Sequence, residues 1–314
     1  MRVLVTGGAG AIGSHLVEHL LERGDQVAIL DSFHEFYPRA LKERNLVGVG
    51  RHKEYAGLFE GDVRDAAFVK HCLDETRPEA VIHLAARAGV RPSLEAPQEY
   101  ADVNVTGTAI VLKECADAAV GRFLFASSST VYGEQDRGAF EEDLDMDQQV
   151  SPYGATKRAG ELFAYTMHRA TGMSISCLRF FSVYGPRQRP DLAVAVFARA
   201  MHEGRSFEVF GDGSIERDFT YISDILGGIT SALDRADGFN IYNLGRGEPA
   251  SDNRVIELLE HELGVAAERI TKPAHPADVP RTWASVERAA HDLDYAPKVS
   301  LEDGIALYVK WLKG

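Results

Sequence analysis

A short apolar strand that runs directly into a glycine-rich turn and then a helix is the feature that most constrains the fold. Residues 2–6 are Arg-Val-Leu-Val-Thr, and Gly7, Gly10 and Gly13 follow at a spacing of three. Glycine lets the backbone turn tightly and approach a pyrophosphate, while the helix predicted over 12–23 offers free N–H groups and a positive dipole end. Because strand, turn and helix occur in this order, the pattern predicts a dinucleotide-binding unit.

An acidic residue closes the next predicted strand and indicates which dinucleotide the turn would bind. The strand is predicted over 26–30, and Asp31 follows it immediately. A carboxylate at this place accepts hydrogen bonds from the ribose hydroxyls of the adenosine half, and it repels a 2′-phosphate. The sequence therefore favours NAD over NADP as the cofactor.

A tyrosine and a lysine four residues apart are the candidate chemical groups. Tyr153 and Lys157 share one face of a helix predicted over 152–169, because side chains at i and i+4 are neighbours on a helix surface. A phenol with a pKa of about 10 is a poor base at neutral pH. A nearby ammonium, helped by an oxidised nicotinamide ring, would lower that pKa. In isolation such a pair is usually an ordinary exposed pair, so the pattern needs a second observation.

A run of hydroxyl side chains supplies that second observation. The apolar strand predicted over 122–126 leads into Ser127-Ser128-Ser129-Thr130. Ligands bind at the carboxyl ends of the strands in open α/β sheets, so we expect these hydroxyls to lie in the site. Together with the tyrosine and the lysine they predict an acid–base centre.

Composition and charge narrow the class of protein. The chain has 314 residues, of which 45% are hydrophobic, and its formal net charge is −13. No basic run is present, so we expect no nucleic-acid partner. Cys72, Cys115 and Cys177 show no paired spacing, which is typical of a reducing compartment. With no leader pattern and no apolar run of membrane-spanning length, the sequence predicts a cytoplasmic protein without a membrane partner.

Short apolar runs alternate with helical patterns up to about residue 180. Such alternation predicts a doubly wound α/β fold of the Rossmann type, in which a parallel sheet carries helices on both faces. Beyond that point the pattern loosens, and glycine and proline become more frequent. We therefore predict an NAD-binding domain over 1–180, to which 223–245 returns, and a smaller α/β lobe over 181–314. The substrate would bind in the cleft between them, and no metal site is predicted.

These motifs together resemble the extended short-chain dehydrogenase/reductase family, specifically its NAD-dependent nucleotide-sugar epimerases and dehydratases, from end to end of the chain. The glycine turn is similar to the family's cofactor turn, although Ala11 stands where phenylalanine is usual. Gly61-Asp62-Val63 is similar to the segment whose acid contacts adenine, and Asn104 falls at a helix asparagine of the family. The resemblance implies that NAD is bound by Gly7, Gly10, Ala11, Ile12, Gly13, Asp31, Asp62, Val63, Leu84, Ala85, Ala86, Asn104, Tyr153 and Lys157.

The same resemblance implies the catalytic roles and the type of reaction. Ser128, Tyr153 and Lys157 fall at the family's catalytic positions, and Ser128 to Thr130 are expected to contact the sugar. The dehydratases and the decarboxylases of the family carry a carboxylate where this chain has Ser129 and Thr130. Without that group neither elimination nor decarboxylation has its usual catalyst, so epimerisation remains.

Two later signatures and one acid match the family's nucleotide-sugar site. The resemblance places Ser182 at the substrate, Arg217 at the diphosphate and Asp278 at the uridine ribose. His275 stands where glucose-type epimerases have a further arginine for the diphosphate. Because relatives pair through two helices, the resemblance also implies a homodimer.

The identity of the sugar rests on a loop with two arginines. The segments 88–93 and Arg189-Pro190-Asp191 resemble UDP-glucuronate 4-epimerases more closely than glucose epimerases. A guanidinium matches a carboxylate in bidentate geometry, so Arg189 is the candidate for the C6 carboxylate. Arg91 is a second candidate, and a loop arginine that caps the following helix is an equal alternative for it. Two other functions stay open: a 4-epimerase of UDP-glucose or a UDP-N-acetylhexosamine, and a non-enzymatic NAD sensor.

Overall fold

The computed structural model describes residues 1–135, 138–144, 146, 148–235, 237–275 and 277–314. Its strands are β1 (Arg2–Thr6), β2 (Gln26–Asp31), β3 (Tyr55–Glu60), β4 (Ala80–His83), β5 (Arg122–Ser128), β6 (Ser174–Phe180), β7 (Ser182–Tyr184), β8 (Phe207–Phe210), β9 (Glu216–Arg217), β10 (Phe219–Tyr221), β11 (Phe239–Leu244), β12 (Ala250–Ser251) and β13 (Arg269–Lys272). Its α-helices are α1 (Ala11–Glu22), α2 (Arg39–Asn45), α3 (Ala66–Thr76), α4 (Val90–Glu95), α5 (Pro97–Ala101), α6 (Thr108–Asp117), α7 (Pro152–Thr171), α8 (Ala193–His202), α9 (Ile222–Arg235), α10 (Asp252–Leu263), α11 (Glu287–Leu293) and α12 (Leu301–Lys313). Six residues of π-helix, Asp102–Gly107, join α5 to α6.

The main sheet has seven strands in the order β11-β6-β5-β4-β1-β2-β3. Its neighbouring strands pair in parallel. The strand order reverses at β1, which lies between β2 and β4, and such a reversal opens a crevice at the carboxyl ends of the strands. The predicted doubly wound fold is therefore confirmed. The strand β11 lies at the edge of the sheet beside β6, whereas the division into two lobes stays a prediction.

Alternating side chains of each central strand enter two separate cores. In β1, Val3 and Val5 belong to one apolar cluster, while Leu4 belongs to the other. In β5, Leu124 and Phe125 likewise enter opposite clusters. A strand that is buried on both faces explains why these segments read as continuous apolar runs rather than as alternating ones.

The helix that carries the tyrosine and the lysine has clear start and stop signals. Ser151 is its N-cap, with its hydroxyl accepting a hydrogen bond from the Gly154 N–H over 3.1 Å, and Pro152 occupies the first helical position. The helix ends at Gly172, whose φ of 75° lies in the left-handed region. These signals are the physical reason why α7 begins where the sequence predicts it.

Residues after β6 form small sheets beside the large one. The short strands pair as β7 with β10, β9 with β12 and β8 with β13. Across the described residues, no helix has the length and the apolar character that spanning a bilayer requires.

Candidate active site

A cleft of about 860 Å³ lies along the carboxyl ends of the central strands. It is lined by residues from the glycine turn, from the ends of β4 and β5, from α7 and from the segments that follow β6. The predicted site residues that line it are Gly7, Gly10, Ala11, Ile12, Gly13, Asp31, Asp62, Val63, Leu84, Ala85, Ala86, Arg91, Ser128, Ser129, Thr130, Tyr153, Lys157, Ser182, Arg189, Arg217 and Asp278. Asn104 is the one predicted residue that does not line it.

The glycine turn packs so closely that side chains cannot be accommodated. A Cβ on Gly7 would lie 2.7 Å from the backbone nitrogen of Ala85, and φ at Gly7 is 73°. A Cβ on Gly13 would lie 2.2 Å from the carbonyl oxygen of Gly7. The turn therefore brings bare backbone to the cleft at the N-terminus of α1, the arrangement that binds a pyrophosphate.

Two aspartates flank this turn, and they are held in different ways. Asp31 is buried, and its two carboxylate oxygens accept the N–H groups of Ala9 and Phe33 over 2.9 and 2.8 Å. Each oxygen keeps acceptor capacity for a ribose hydroxyl. Asp62 is paired with Arg64, whose hydrogen bonds hold the pKa of that carboxyl below its usual range. This acid, the bare backbone and the apolar wall at Val63 fit an adenine dinucleotide.

Asn104 lies behind the cleft and holds its wall. Its side-chain oxygen accepts the Arg87 N–H over 2.7 Å, and its amide donates to the Arg87 carbonyl and to Thr156 Oγ1 over 2.9 and 3.0 Å. These bonds join the segment after β4 to α7. We therefore interpret Asn104 as a support for the cofactor wall, because the structure does not bring its side chain to the cleft.

Ser128 and Tyr153 are brought together at the end of β5. Ser128 Oγ accepts hydrogen bonds from the backbone N–H and the Oγ1 of Thr130, over 3.2 and 2.9 Å. The Ser128 hydroxyl also lies within hydrogen-bond reach of the Tyr153 phenol. Because the serine accepts from Thr130, its own proton is available to the phenol or to a ligand oxygen.

Lys157 is buried one helical turn after Tyr153 on α7. The sequence predicts that its ammonium lies near the phenol, whereas the structure shows it bound to the backbone of β5. Its Nζ donates to the carbonyl oxygen of Ala126 over 2.7 Å and lies over the Phe125 ring. Burial lowers the pKa of Lys157 to about 7, against the opposing charge of Glu161. Burial raises the pKa of Tyr153, partly offset by Ser128 and Arg189. The chain alone therefore does not lower the pKa of the phenol, because desolvation outweighs the nearby positive groups.

A fully buried ion pair lies behind this centre. Glu161 occupies the position four residues after Lys157 on α7, and it receives two hydrogen bonds from Arg179 of β6, over 2.8 and 2.9 Å. Both side chains are at most 1% exposed. Glu161 also accepts the Ser127 hydroxyl over 2.6 Å. The pair thus joins α7 to the ends of both β5 and β6.

Arg189 lies at the wall of the cleft close to the phenol. Its positive charge opposes the rise in the pKa of Tyr153 that burial causes. Its guanidinium lies over the ring of Phe36 at 4.8 Å. Its Nε and Nη2 donate to the two oxygens of Asp191 over 3.0 and 2.6 Å. Toward the described part of the chain, Arg189 donates through Nε and Nη2, so Nη1 remains for a ligand.

The second predicted arginine lies in a different group of charges. Arg91 Nη2 contacts Asp278 Oδ2 over 2.6 Å, and its guanidinium stacks on Phe210 at 3.6 Å. The charges of Asp252, Asp278 and Arg91 all act on Arg217, whose pKa is lowered by burial. We call Arg91, Arg217, Asp252 and Asp278 the arginine–aspartate cluster. Arg91 belongs to this cluster instead of lying beside Arg189, and it is a residue of α4 rather than a loop arginine.

Several residues that line the cleft carried no signal in the sequence. Asp252 follows the N-cap of α10 and resembles any acidic residue in a first helical turn, yet its side chain lies in the cleft. Phe36 and Phe210 follow no recognisable motif, and both face arginines. Sequence reasoning missed them because their neighbours come from distant parts of the chain. No local pattern could have found the two phenylalanines, because each faces an arginine from a distant part of the chain.

The doubly wound sheet, the glycine turn and the serine–tyrosine–lysine centre define a dinucleotide-dependent enzyme. The NAD dependent epimerase/dehydratase family matches residues 3–245, and the chain belongs to this family. The resemblance seen in the sequence is thereby confirmed, as is the expected use of NAD.

Three proteins that are similar to this chain over nearly its whole length are 4-epimerases of UDP-sugars. A UDP-glucuronate 4-epimerase of Thermodesulfobacterium geofontis is 40% identical over 99% of this chain and 95% of its own length. The crystal structure of the Bacillus cereus UDP-glucuronic acid 4-epimerase with UDP-glucuronic acid and NAD has a TM-score of 0.94 and 36% identity, over 100% and 99% of the two chains. A Thermus thermophilus UDP-glucose 4-epimerase with NAD has a TM-score of 0.89 and 34% identity over the same shares.

Proposed function

We propose that the chain is a UDP-sugar 4-epimerase that interconverts UDP-glucuronate and UDP-galacturonate through a 4-keto intermediate. The observation that carries this proposal is the position of Arg189 on the cleft wall, close enough to the Tyr153 phenol for its charge to act on it. In a uronate the carboxylate is attached to C5, next to the reacting C4. A guanidinium beside the base therefore suits a carboxylate beside the reacting carbon.

Each member of the catalytic centre has a role that its contacts support. Tyr153 would accept the proton of the C4 hydroxyl and later return it. Ser128 would donate its hydroxyl proton to the same sugar oxygen, since Thr130 already satisfies it as an acceptor. When bound, NAD would supply the acceptor and then the donor of a hydride for C4 of the sugar. Lys157, buried one helical turn from the phenol, would favour the phenolate when it is protonated.

Return of the hydride to the opposite face requires the keto sugar to rotate while the nucleotide stays bound. We assign the binding of the nucleotide to the arginine–aspartate cluster, with Arg217 at the diphosphate and Asp278 at the uridine ribose. Support comes from the burial of Arg217, which favours a direct charge-assisted bond to an anion. Arg217 and Asp278 follow β6, which agrees with the proposed substrate-binding lobe over 181–314.

The side chains beside Ser128 favour epimerisation over the related reactions. Ser129 and Thr130 line the cleft and carry no carboxylate. A 4-keto uronate is a β-keto acid, and such acids lose carbon dioxide readily. An arginine that holds the carboxylate near the ring plane would reduce the overlap of the breaking C–C bond with the ketone, which slows that loss.

A neutral sugar is the alternative, and one contact favours it. Asp191 already pairs with two nitrogens of Arg189, so much of the charge of the arginine is compensated before any ligand arrives. A 4-epimerase of UDP-glucose would need no carboxylate partner at this place. The similarity to both uronate and glucose epimerases is compatible with either substrate.

Substitution of Arg189 tests the proposal. The pair with a carboxylate is worth about 1.5–3 kcal/mol, so Arg189→Ala should lower kcat/KM for UDP-glucuronate roughly ten- to a hundredfold. UDP-glucose should lose little, and Arg189→Lys should restore only part of the loss because lysine lacks the planar fork. Arg205→Ala, which removes an exposed arginine paired with Glu203, is the control. Equal losses for both sugars, with products identified by NMR, would support the neutral-sugar alternative.

The expected homodimer is also a proposal. Leu162, Phe163 and Tyr165 of α7 are between 42% and 52% exposed, an unusual content of large apolar side chains for one helix surface. A second copy of this chain, packed helix against helix, is the occupant that the resemblance implies for this surface.

A further inference from the structure

The loop that carries Arg189 is attached to the helix that follows the glycine turn. His15 Nε2 donates to the carbonyl oxygen of Pro186 over 2.9 Å. Arg187 Nη2 donates to Glu18 Oε1 over 2.9 Å, and its Nη1 lies 2.9 Å from Oε2 of the same carboxylate. His15 and Glu18 are three residues apart on α1 and so share a face. Helix α1 therefore holds two consecutive residues of the 185–192 loop.

The His15 contact fixes the tautomer of that side chain in its neutral form. Burial lowers the pKa of His15, although the hydrogen bond to the Pro186 carbonyl opposes this shift. A carbonyl oxygen only accepts hydrogen bonds, so Nε2 carries the proton in this tautomer. The side chains of Glu18 and Arg187 are 27% and 22% exposed, which shields their ion pair from much of the screening by solvent.

The backbone of the loop has a shape that is costly to hold without such support. Arg187 has a φ of 62°, in the left-handed region that residues other than glycine rarely adopt. Gly185 has a φ of 147°, and a Cβ there would lie 2.6 Å from Ile222 Cγ2. Strained conformations persist where surrounding contacts over-determine them, and they concentrate at functional sites. The contacts with α1 are such constraints.

We propose that His15 and Glu18 are positioning residues for sugar specificity, which hold the 185–192 loop so that Arg189 faces the reacting sugar. The inference rests on the proposed function, since it acts through the pairing of Arg189 with a C6 carboxylate. It adds that the specificity loop is attached to the helix at the cofactor turn. The guanidinium is thereby held in place before the substrate arrives, which reduces the ordering cost of binding.

The discrimination between two sugars tests this inference. Glu18→Ala and Arg187→Gly each remove the ion pair, and the glycine suits the φ of 62° at that position. Each should lower the ratio of kcat/KM for UDP-glucuronate to that for UDP-glucose by roughly five- to fiftyfold, because a small displacement mis-aims Arg189. Asp234→Asn is the matched control, since Asp234 pairs with Arg23 beyond the other end of α1. Its ratio should equal that of the wild type.

A combined variant shows whether the effect passes through Arg189. Adding Glu18→Ala to Arg189→Ala should change the ratio no further, whereas independent effects would multiply. Glu18→Arg together with Arg187→Glu reverses the pair and should recover much of the ratio if both single variants lose it. Suppose that the wild type prefers UDP-glucuronate. If the ratio of the two kcat/KM values then stays unchanged in Glu18→Ala and Arg187→Gly, this inference is overturned and the proposed function is not. A wild type without that preference overturns the proposed function, and this inference with it.

Discussion

The catalytic centre and the arginine–aspartate cluster use charge in contrasting ways within one cleft. Behind the catalytic centre, Glu161 and Arg179 compensate each other inside the protein, at most 1% exposed. In the cluster, Arg91 and Asp278 pair at the cleft wall, with side chains 36% and 14% exposed. The first pair is inaccessible to any ligand, whereas the second faces the volume that a ligand would fill.

This contrast shows how one cleft can be rigid at one place and adaptable at another. Buried charges in good geometry hold α7, β5 and β6 in one arrangement, because separating them would leave an unpaired charge in a medium of low polarity. Charges at a cleft wall can exchange partners at low cost, since water replaces what each of them loses. A site that binds and releases a charged ligand beside a fixed catalytic centre requires both properties.

Breaking the buried pair gives the largest expected effect. Glu161→Gln should lower the free energy of unfolding by about 3–5 kcal/mol, because Arg179 stays buried without its counter-charge. Asp278→Asn, which breaks the pair in the cluster, should cost no more than about 1 kcal/mol. Urea denaturation of both variants checks the difference. Similar losses would mean that the two pairs do not differ in the way the burial indicates.

Removing the phenolic hydroxyl tests the catalytic centre without disturbing its support. Tyr153→Phe should lower kcat by at least about a hundredfold, the usual contribution of a general acid–base group, while the affinity for the UDP-sugar stays nearly unchanged. Ser128→Ala should cost less, since only a hydrogen bond is lost. Turnover measured with saturating substrate, together with calorimetric binding, decides the matter. Near-normal turnover of Tyr153→Phe would place proton transfer on another group.

The pH dependence of the free energy of unfolding tests the burial of Asp252 in the cluster. Burial raises its pKa from 3.8 to about 6, so the folded protein binds this proton more tightly than the unfolded chain does. Its carboxylate therefore destabilises the fold fully above about pH 6, and the cost disappears as the pH falls toward 4. Asp252→Asn should raise the free energy of unfolding at pH 7.5 by about 1–2 kcal/mol. Denaturation measured at several pH values should show that this gain fades below pH 6, and a constant gain would contradict the assignment.

Asp31 gives the smallest expected effect, because it concerns selectivity rather than stability or rate. Asp31→Ala should change the ratio of NAD to NADP affinity by about tenfold in favour of NADP, since the repulsion of a 2′-phosphate is lost. Asp31→Asn keeps an acceptor for a backbone N–H and should produce most of the same change. Fluorescence titration with both dinucleotides measures the ratio. If it stays at the wild-type value, Asp31 is not at the ribose.

Ser128, Tyr153 and Lys157 line one cleft, as the sequence predicts, because local backbone rules place each of them. The glycine turn, the strand end at Ser128 and the turn of α7 from Tyr153 to Lys157 each follow backbone rules that act over a few residues. The electrostatics of the phenol depend on more than local pattern. In the chain without NAD, burial raises the pKa of Tyr153, and burial depends on packing that no local pattern encodes.

By itself, the sequence predicted the doubly wound fold, the cofactor turn and the three side chains proposed for catalysis. Only the tertiary structure placed Arg91 with Asp278 rather than with Arg189, brought Asp252 into the cleft and attached the 185–192 loop to α1. Arg91 and Asp278 are 187 residues apart along the chain, and Glu18 and Arg187 are 169 apart. Contacts over such separations depend on the order of the strands and the packing of the helices, whereas a turn or a helix face depends on its own neighbours.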